Sequence, residues 1–475
     1  MQSYVNDPVV QKNRWWIITA VGMFTIMSTL DGSIVNIALP VMAKDLKVPM
    51  NQAEWVVSSY LIVICALLLL MGKLGDTLGK IRIFRLGTVL FTIGSLLAGF
   101  NHSFGLLLAA RVVQALGASM TMANNNGIIT EVFPMKERGK ALGLIGSFVS
   151  VGSIAGPGIG GLILGQLPWG YIFWINIPIG LLTMAVGHWV LPKDLAPSHA
   201  PIDWAGFASF VAVIVPFFVA VNLGQVVGFG DWRVLALFVV AILALGLFTR
   251  LERRHKAPLV SFKLFQNAEF TISLLAGFLI FVTNFFFNVI SPFYLENARG
   301  LSATTAGYIL MIFPIVQVIV APLAGSLSDK IGPYKITLVG LLVILISQLG
   351  YAFLNLATPL GLVIVLIGVM GFGNGSFQSP NNTVVMSAVA PQDLGIAGGL
   401  NALARNLGMV VGISAATTVL FRAMSHTAGR KVTTYLPQHP DYFIQGMHVA
   451  FAVAAAICLV AVALTAYRMR QQTRN

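Results

Sequence analysis

Long apolar runs alternate with short polar segments along the whole chain. A helix of about 20 apolar residues crosses the hydrocarbon core of a bilayer, and each run reaches roughly that length. The segments between the runs hold most of the Lys and Arg residues. The pattern predicts fourteen membrane-spanning helices, over residues 15–40, 54–72, 83–101, 106–127, 139–165, 171–191, 204–223, 233–250, 270–293, 304–325, 334–355, 359–386, 396–421 and 446–467.

Composition strengthens the prediction of an all-α polytopic membrane protein. The chain is 57% hydrophobic and 9% charged, with a mean hydropathy of +0.85, whereas soluble domains carry about 25% charged residues. Its two cysteines, Cys65 and Cys458, lie in apolar runs, which argues against a disulfide framework and against a Cys-ligated metal site. A polytopic enzyme or sensor is the alternative class, and it would need a cluster of His, Asp or Cys inside the membrane. Because the seven histidines are scattered singly, we do not expect an enzyme.

The distribution of positive charge predicts the topology. An even number of spans puts both termini on one side, and twenty of the twenty-nine Lys and Arg residues fall on that side, with seven opposite and two inside spans. Because positive loops stay in the cytoplasm, both termini are predicted to be cytoplasmic, in a plasma or bacterial inner membrane. The net charge of +13 therefore reflects topology, and we expect the lipid bilayer and no nucleic acid as a partner.

An internal repeat divides the chain into two related halves. The segment Gly72–Arg82 is echoed by Gly325–Lys335, 253 residues later, and a second echo has an offset of about 257. Six spans then form each half, with spans 7 and 8 inserted between them. The predicted units are residues 1–192, an inserted pair with its linkers at 193–265, and residues 266–475. Bundles built from repeats in this way are typical of secondary transporters.

Two opposite charges fall inside predicted spans, Asp31 near the middle of span 1 and Arg111 in span 4. A carboxylate at mid-depth in a bilayer is costly, so such residues usually pair with an opposite charge or carry out a function. One interpretation is a structural ion pair between the two. The other is a proton-binding site, because an apolar environment and a nearby guanidinium shift a carboxyl pKa in opposite directions. Both interpretations are compatible with the sequence.

Four motifs resemble the major facilitator superfamily, and specifically its fourteen-span drug:proton antiporter branch. They are the Leu30–Pro40 run in span 1, the Gly72–Arg82 loop, Arg111–Ala118 in span 4 and Gly152–Gly161 in span 5. The resemblance covers nearly the whole chain. Three positions depart from the family pattern: Ala115 replaces a glycine, Gly170 replaces an arginine at the entry to span 6, and Glu296 stands where the family more often has glutamine. The resemblance implies the major facilitator fold in a 6 + 2 + 6 arrangement of transmembrane helices.

The resemblance also assigns groups of residues to parts of a transport cycle. A conformational latch would comprise Gly72, Gly75, Asp76, Gly79, Lys80 and Arg82 with Gly325 and Asp329 of the second half. The antiporter motif would comprise Gly152, Gly156, Pro157, Gly160 and Gly161, and we expect its glycine stripe to form a tight seam between the halves. Asp31 would carry the proton, and Arg111 would set the electrostatic field around it.

The function implied is efflux of hydrophobic or amphipathic drugs, coupled to protons, by alternating access. We expect a monomer that uses the proton gradient and no cofactor. The alternative is a dedicated exporter of one endogenous metabolite, lipid-like compound or antibiotic on the same scaffold.

Further residues are candidates for substrate contact or for a second charge. The polar and aromatic cavity candidates are Asn36, Asn124, Asn284, Phe285, Gln317, Gln378 and Asn381, each of which could instead face a neighbouring helix. Arg405 in span 13 is close enough to a helix end to reach the membrane surface, so we leave open whether it is an anchor or a functional group. Glu54 and Glu296 lie near helix ends, where a structural role and a second proton site are alternatives.

Overall fold

Fourteen membrane-length helices account for most of the chain in the computed structural model, which describes residues 4–100, 103–195, 201–255, 258–432, 435–436 and 438–472. All fourteen predicted spans are confirmed. The helices are α1 (Pro8–Asp45), α2 (Trp55–Leu78), α3 (Lys80–Gly99), α4 (Phe104–Val132), α5 (Arg138–Gln166), α6 (Tyr171–Val190, interrupted at Ile175), α7 (Trp204–Val227), α8 (Trp232–Arg254), α9 (Ala268–Phe293), α10 (Thr305–Ile331, interrupted at Met311), α11 (Pro333–Tyr351), α12 (Leu360–Ser387), α13 (Leu394–Ala428) and α14 (Pro440–Gln472).

Several helices extend beyond the apolar runs that predicted them, because helical hydrogen bonding continues through polar turns. The start of α1 illustrates this. The carboxylate of Asp7 accepts hydrogen bonds from the amides of Val9 and Val10, at 2.9 and 3.3 Å, and Pro8 occupies the first helical position. An acidic capping residue followed by proline strongly favours the start of a helix. Helix α1 therefore begins at Pro8, seven residues before the predicted boundary at residue 15.

The helices pack in two groups with the same internal arrangement. In the first group α1 contacts α5 and α6, α3 contacts α4 and α6, and α2 contacts α4. In the second group α9 contacts α13 and α14, α11 contacts α12 and α14, and α10 contacts α12. Each contact in the first bundle has a counterpart between the helices eight places later in the chain, because the inserted pair α7 and α8 lies between the bundles. The fold is therefore a duplicated six-helix bundle, as the sequence repeat predicts.

The bundles meet through a second symmetrical set of contacts. Helix α5 packs against α10 and α12 of the other bundle, and α13 packs against α2 and α4. The inserted helices α7 and α8 pack against each other, and α7 also contacts α2 and α13. A hydrogen bond of 3.2 Å from the Ser58 hydroxyl to the Asn222 side chain joins α2 to α7. The inserted pair thus lies along one of the two lines on which the bundles meet. The residue boundaries of the three units stay a prediction.

The glycine stripe of α5 contacts α1 and not the opposite bundle. A Cβ added at Gly152 would lie 2.0 Å from the Thr29 hydroxyl, and one added at Gly156 would lie 1.9 Å from the Ser33 hydroxyl. The prediction that these glycines form a seam between the halves is therefore wrong. They form a seam within the first bundle, between α1 and α5. A stripe of small residues every fourth position requires close helix packing but does not specify which helix approaches.

We expect Gly156→Val to destabilise the first bundle, because the new side chain overlaps α1. Overpacking of this kind costs about 1–3 kcal/mol. The matched control is Gly161→Val, since an added Cβ at Gly161 has no neighbouring atom within 4 Å. Thermal unfolding can be followed with a thiol-reactive dye, because the free thiols of Cys65 and Cys458 are buried until the chain unfolds. Equal unfolding temperatures for the two variants would contradict the assignment.

Candidate functional site

Asp31 lies at the centre of a buried hydrogen-bond network in the first bundle. Its Oδ2 accepts from Arg111 Nη1 at 2.7 Å, and its Oδ1 accepts from Gln114 Nε2 at 2.8 Å and from Asn176 Nδ2 at 2.9 Å. The relative exposure is 0% for Asp31 and 1% for Arg111. A carboxylate with one charged and two neutral donors is well compensated for the loss of water. The network joins α1 to α4 and α6.

The guanidinium of Arg111 is also held by two more hydrogen bonds and an aromatic ring. Its Nε donates to the Val56 carbonyl oxygen at 3.1 Å, and Nη1 also donates to Gln114 Oε1 at 2.5 Å. The aromatic ring of Tyr60 lies below it, with 4.0 Å from the guanidinium carbon to the ring centroid, a favourable cation–π geometry. The Tyr60 hydroxyl is buried and has no hydrogen-bond partner within the described part of the chain. Helix α2 therefore completes the surroundings of the ion pair.

The structure brings Asp31 and Arg111 together, as the sequence suggests. It adds three partners that sequence reasoning missed, Gln114, Asn176 and Tyr60. Gln114 carried a usable signal, because it lies three residues after Arg111 and so on the same helical face. Asn176 and Tyr60 carried none, since they reach the pair from helices far away in sequence. Asn176 follows the interruption of α6 at Ile175, which places its side chain beside Asp31.

The first part of the predicted latch joins α2 to the start of α13 in the other bundle. Both oxygens of Asp76 accept from backbone amides, Oδ1 from Gly395 at 2.7 Å and Oδ2 from Ile396 at 2.9 Å. Lys80 lies between two acids, with its Nζ 2.8 Å from Asp76 and 2.8 Å from Glu131. A carboxylate at a helix N-terminus satisfies free amides and complements the helix dipole.

The second part repeats this arrangement with the bundles exchanged. Asp329 of α10 accepts from the amides of Gly139 and Lys140, at 2.8 and 3.0 Å, in the first turn of α5. The backbones come close here, because a Cβ added at Gly325 would lie 2.1 Å from the Gly139 carbonyl oxygen. Ser379 donates to that same oxygen at 2.8 Å. Each latch aspartate thus caps a helix of the opposite bundle.

These contacts close one side of the protein, called here the terminal face because α1 begins and α14 ends on it. Gly72 and Gly395 also meet there, and a Cβ added to either would fall within 2.4 Å of the carbonyl oxygen of the other. Towards the opposite face, Gly158, Gly161 and Gly165 of α5 have no atom within 4 Å of an added Cβ. The bundles are therefore in contact at the terminal face, and these three glycines of α5 have no close neighbour towards the opposite one.

A third carboxylate acts in the same way inside one bundle. Asp194, in the segment after α6, accepts from the amides of Ile81 and Arg82, at 2.8 and 2.9 Å, at the start of α3. Gly79 precedes this turn with a φ of +108°, and Gly332 has +91° at the equivalent place before α11. Both angles favour glycine. The side chain of Arg82 is exposed and its amide bonds to Asp194, so the hydrogen bond of Arg82 lies within one bundle and not across the predicted latch.

A cavity lies between the bundles, on the side of the latch that faces the membrane centre. Its volume is about 60 Å³, enough for a few water molecules and well below the roughly 300–1,000 Å³ of small-molecule sites. A larger ligand therefore needs a conformation in which the bundles are farther apart here. The lining combines apolar groups with Thr25, Ser28, Thr29, Asn125, Asn126, Gln378, Asn382, Asn401 and Arg405.

The structure separates the predicted cavity residues into two sets. Gln378 lines the cavity and accepts a hydrogen bond from Gln317 at 2.9 Å. Asn381 lines a smaller adjoining pocket and donates to the Ser273 carbonyl oxygen at 3.0 Å. Gln317 and Asn36 are not in the lining. Asn36 is exposed on α1 and donates to the Gly32 carbonyl oxygen of its own helix.

The other predicted residues lie outside the cavity lining. Asn124 donates to the Met71 carbonyl oxygen and fills the space beside Gly75, where an added Cβ would lie 1.7 Å from its Oδ1. Asn284 donates to the side chain of Asn374 within the second bundle. The Cβ of Phe285 lies 2.8 Å from a Cβ added at Gly412, so this residue packs against α13. These side chains are packing elements between helices.

The remaining charged candidates differ in their surroundings. Arg405 lines the cavity instead of reaching the membrane surface. Glu54 and Glu296 are exposed at helix ends. Of the sixteen acidic residues in the sequence, all of which the structure describes, Asp31 is the one in the middle of a membrane-spanning helix.

Duplicated bundles, a closed latch at one face and a cavity between the bundles define a polytopic membrane transporter. The sequence model of the Major Facilitator Superfamily matches residues 21–413 of the chain. The protein therefore belongs to the major facilitator superfamily, and it is a transporter and not an enzyme.

Named relatives include transporters of different scope. The riboflavin transporter RibZ of Clostridioides difficile is 36% identical over 465 residues, which cover 98% of this chain and 99% of that protein. The multidrug resistance protein Stp of Mycobacterium tuberculosis is 29% identical over 414 residues, which cover 86% of this chain and 76% of that protein. The human transporter MFSD10 superposes with a TM-score of 0.64 at 14% identity, covering 97% of this chain and all of that one. This last likeness concerns the fold alone.

Replacing a latch aspartate by asparagine should open the terminal face. Asp76→Asn and Asp329→Asn each remove a charged hydrogen-bond acceptor between bundles, a loss of about 1–3 kcal/mol. Spin labels on the exposed residues Lys136 and Gln392, introduced as cysteines, report the separation of the bundles by pulsed electron resonance. We expect both variants to populate longer distances. Asp194→Asn, which alters a cap within one bundle, should leave the distances unchanged, and a shift there would contradict the latch assignment.

Proposed function

We propose that the protein is a proton-coupled exporter of small organic molecules that works by alternating access, with Asp31 as the proton carrier. The observation that carries the proposal is the position of Asp31, an acid in the middle of a spanning helix that is bonded to Arg111 across the bundle. Proton coupling needs an ionisable group of this kind at mid-membrane. The positive-inside rule places the terminal face in the cytoplasm.

Protonation of Asp31 weakens the hydrogen bonds around it. Its two oxygens accept from three donors, Oδ2 from Arg111 and Oδ1 from Gln114 and Asn176. A neutral carboxyl is a poorer acceptor than a carboxylate, and a proton on Oδ1 would have to displace one of its two donors. Neutralising the carboxylate also removes the charge that attracts the guanidinium. Proton binding therefore loosens the link between α1 and α4.

Asn176 is suited to accept the proton of the neutral acid. Its Nδ2 donates to Asp31, whereas its Oδ1 is buried without a hydrogen-bond partner in the described residues. A rotation of the amide group by half a turn would present that oxygen to a protonated carboxyl, since amide groups offer a donor and an acceptor of nearly the same shape. One side chain can then serve both protonation states.

The packing of α1 provides a route from Asp31 to the latch. Thr29 and Ser33 of α1 pack tightly against Gly152 and Gly156 of α5. The first turn of α5 is in turn held by Asp329 of the other bundle. A change in the position of α1 is therefore transmitted to a helix whose start forms part of the latch. Close backbone packing leaves little room for α1 to move independently.

We expect Asp31→Asn to abolish substrate-driven proton flux, because the variant keeps the size of the side chain and loses the titratable group. Flux can be measured with a pH-sensitive dye inside proteoliposomes, alongside the unfolding temperature of the purified variant. Glu296→Gln is the matched acid-to-amide control, and it should retain flux because Glu296 is exposed at a helix end. Undiminished flux in Asp31→Asn would refute the proton-carrier role.

A second version of the function, a transporter dedicated to one polar compound, has two observations in its favour. The relative with 36% identity over nearly the full length of both chains carries the name of a riboflavin transporter. The cavity lining is rich in amide and hydroxyl side chains, among them Asn125, Gln378 and Asn382, which suit a substrate with many hydrogen-bonding groups. Multidrug-resistance relatives support the broader range of hydrophobic or amphipathic substrates.

Competition between substrates distinguishes the two versions. For a dedicated transporter we expect labelled riboflavin to be moved across proteoliposome membranes, with no inhibition by an excess of the lipophilic cation ethidium, which cannot satisfy the amide groups. Empty liposomes and the Asp31→Asn variant provide the background rate. Mutual inhibition by the two compounds would favour the multidrug version instead.

A further inference from the structure

Arg405 is a cation at the cavity without a protein counter-charge. It is the one charged side chain in the lining of the cavity and of the adjoining pocket. In the described residues it has neither a salt bridge nor a hydrogen bond to a carboxylate, in contrast to Arg111, which pairs with Asp31. An unpaired guanidinium between helices in a membrane is costly. A group on a ligand is the natural partner for it.

Two amide groups in the lining beside Arg405 have free donors. Gln317 donates to the oxygen of Gln378, and Asn401 donates to the oxygen of Asn382, whereas the nitrogens of Gln378 and Asn382 have no acceptor within the described chain. The lining also holds a free acceptor, the buried Oδ1 of Asn125. Because the charged group among them is a guanidinium, the two free donors and Arg405 together favour a ligand group that accepts hydrogen bonds and carries negative charge. Phe281 adds an apolar surface to the same lining.

The acceptor-binding site and the proton site adjoin the same helix. Arg405 belongs to α13, which packs against α2. The ring of Tyr60, which is on α2, lies 4.0 Å from the guanidinium carbon of Arg111. Helix α2 therefore contacts both the ion pair of Arg111 with Asp31 and the helix that carries the unpaired Arg405.

We propose that Arg405, with the amide nitrogens of Gln378 and Asn382, binds the anionic head group of an organic substrate, such as a carboxylate. The proposal rests on the proposed function, since it takes the cavity between the bundles as the substrate site. It adds the chemical class, a compact organic anion with an apolar body that can lie against Phe281. A lipophilic cation meets an unfavourable charge at the same place.

A pair of dyes with the same ring system tests the charge preference. Fluorescein is anionic and rhodamine 123 is cationic at pH 7.5, and both contain a xanthene ring. Binding to the purified protein in nanodiscs is measured by fluorescence anisotropy, without a proton gradient. We expect the unmodified protein to bind fluorescein more tightly than rhodamine 123. Arg405→Gln should weaken fluorescein binding by about tenfold or more, the worth of a charged hydrogen bond, and should not weaken binding of rhodamine 123.

Two further variants separate charge recognition from folding. Arg405→Lys keeps the charge and should retain part of the affinity for fluorescein. Arg430→Gln removes an exposed arginine from the loop after α13 and should bind as the unmodified protein does. Absence of fluorescein binding, preference for rhodamine 123, or equal binding by Arg405→Gln would each overturn the proposal. Because binding needs no proton gradient, these results are independent of the flux of Asp31→Asn, which tests the proposed function separately.

Discussion

A charge inside a membrane protein has to be neutralised or hydrated, because an isolated ion in an apolar interior is costly. This chain meets the constraint in three ways. Asp31 is compensated by a guanidinium and two side-chain amides. Asp76 and Asp329 are compensated by the free amides at the starts of helices. Arg405 has no protein anion in the described residues and lies at the edge of a cavity instead. The first two arrangements hold helices together, and the third leaves an interaction to be made.

The latch shows how a duplicated sequence produces a symmetrical closure. In each half, one aspartate from the repeated loop reaches the first turn of a helix in the other half. Glycines at the crossing points bring the backbones close enough for these bonds, as at Gly139 and Gly325. Because the aspartate contacts lie at helix ends on one face, they can break without loss of the hydrogen bonds within either bundle. The aspartates supply the charged and directional part of the closure, and the Ser147 hydroxyl adds a neutral bond between bundles to the Val318 carbonyl oxygen at 2.8 Å.

The sequence predicts the helices well and the contacts between them less completely. Apolar runs and the repeat are local properties, so the fourteen spans and the duplicated architecture follow from them. The proximity of Asp31 and Arg111 is also predictable, since two opposite charges inside membrane-spanning helices have few other partners. The bonds made by Asn176 and by Asp194 depend on how distant segments pack, and neither residue belongs to a repeated motif. The packing partner of Gly156 was predicted wrongly for a related reason. A glycine stripe indicates that some helix packs closely against it, but not which helix.

The inserted helices make the transporter asymmetric towards the lipid. Two six-helix bundles alone would meet the bilayer along two equivalent lines, one where α2 contacts α13 and one where α5 contacts α10. Helix α7 packs on α2 and α13, with Asn222 bonded to Ser58, and so covers the first line and leaves the second uncovered. A compound dissolved in the bilayer therefore meets α7 on one side of the junction of the bundles, and α5 and α10 themselves on the other. The inserted pair thus gives the transporter two different flanks towards the lipid, although its two bundles are related by a repeat.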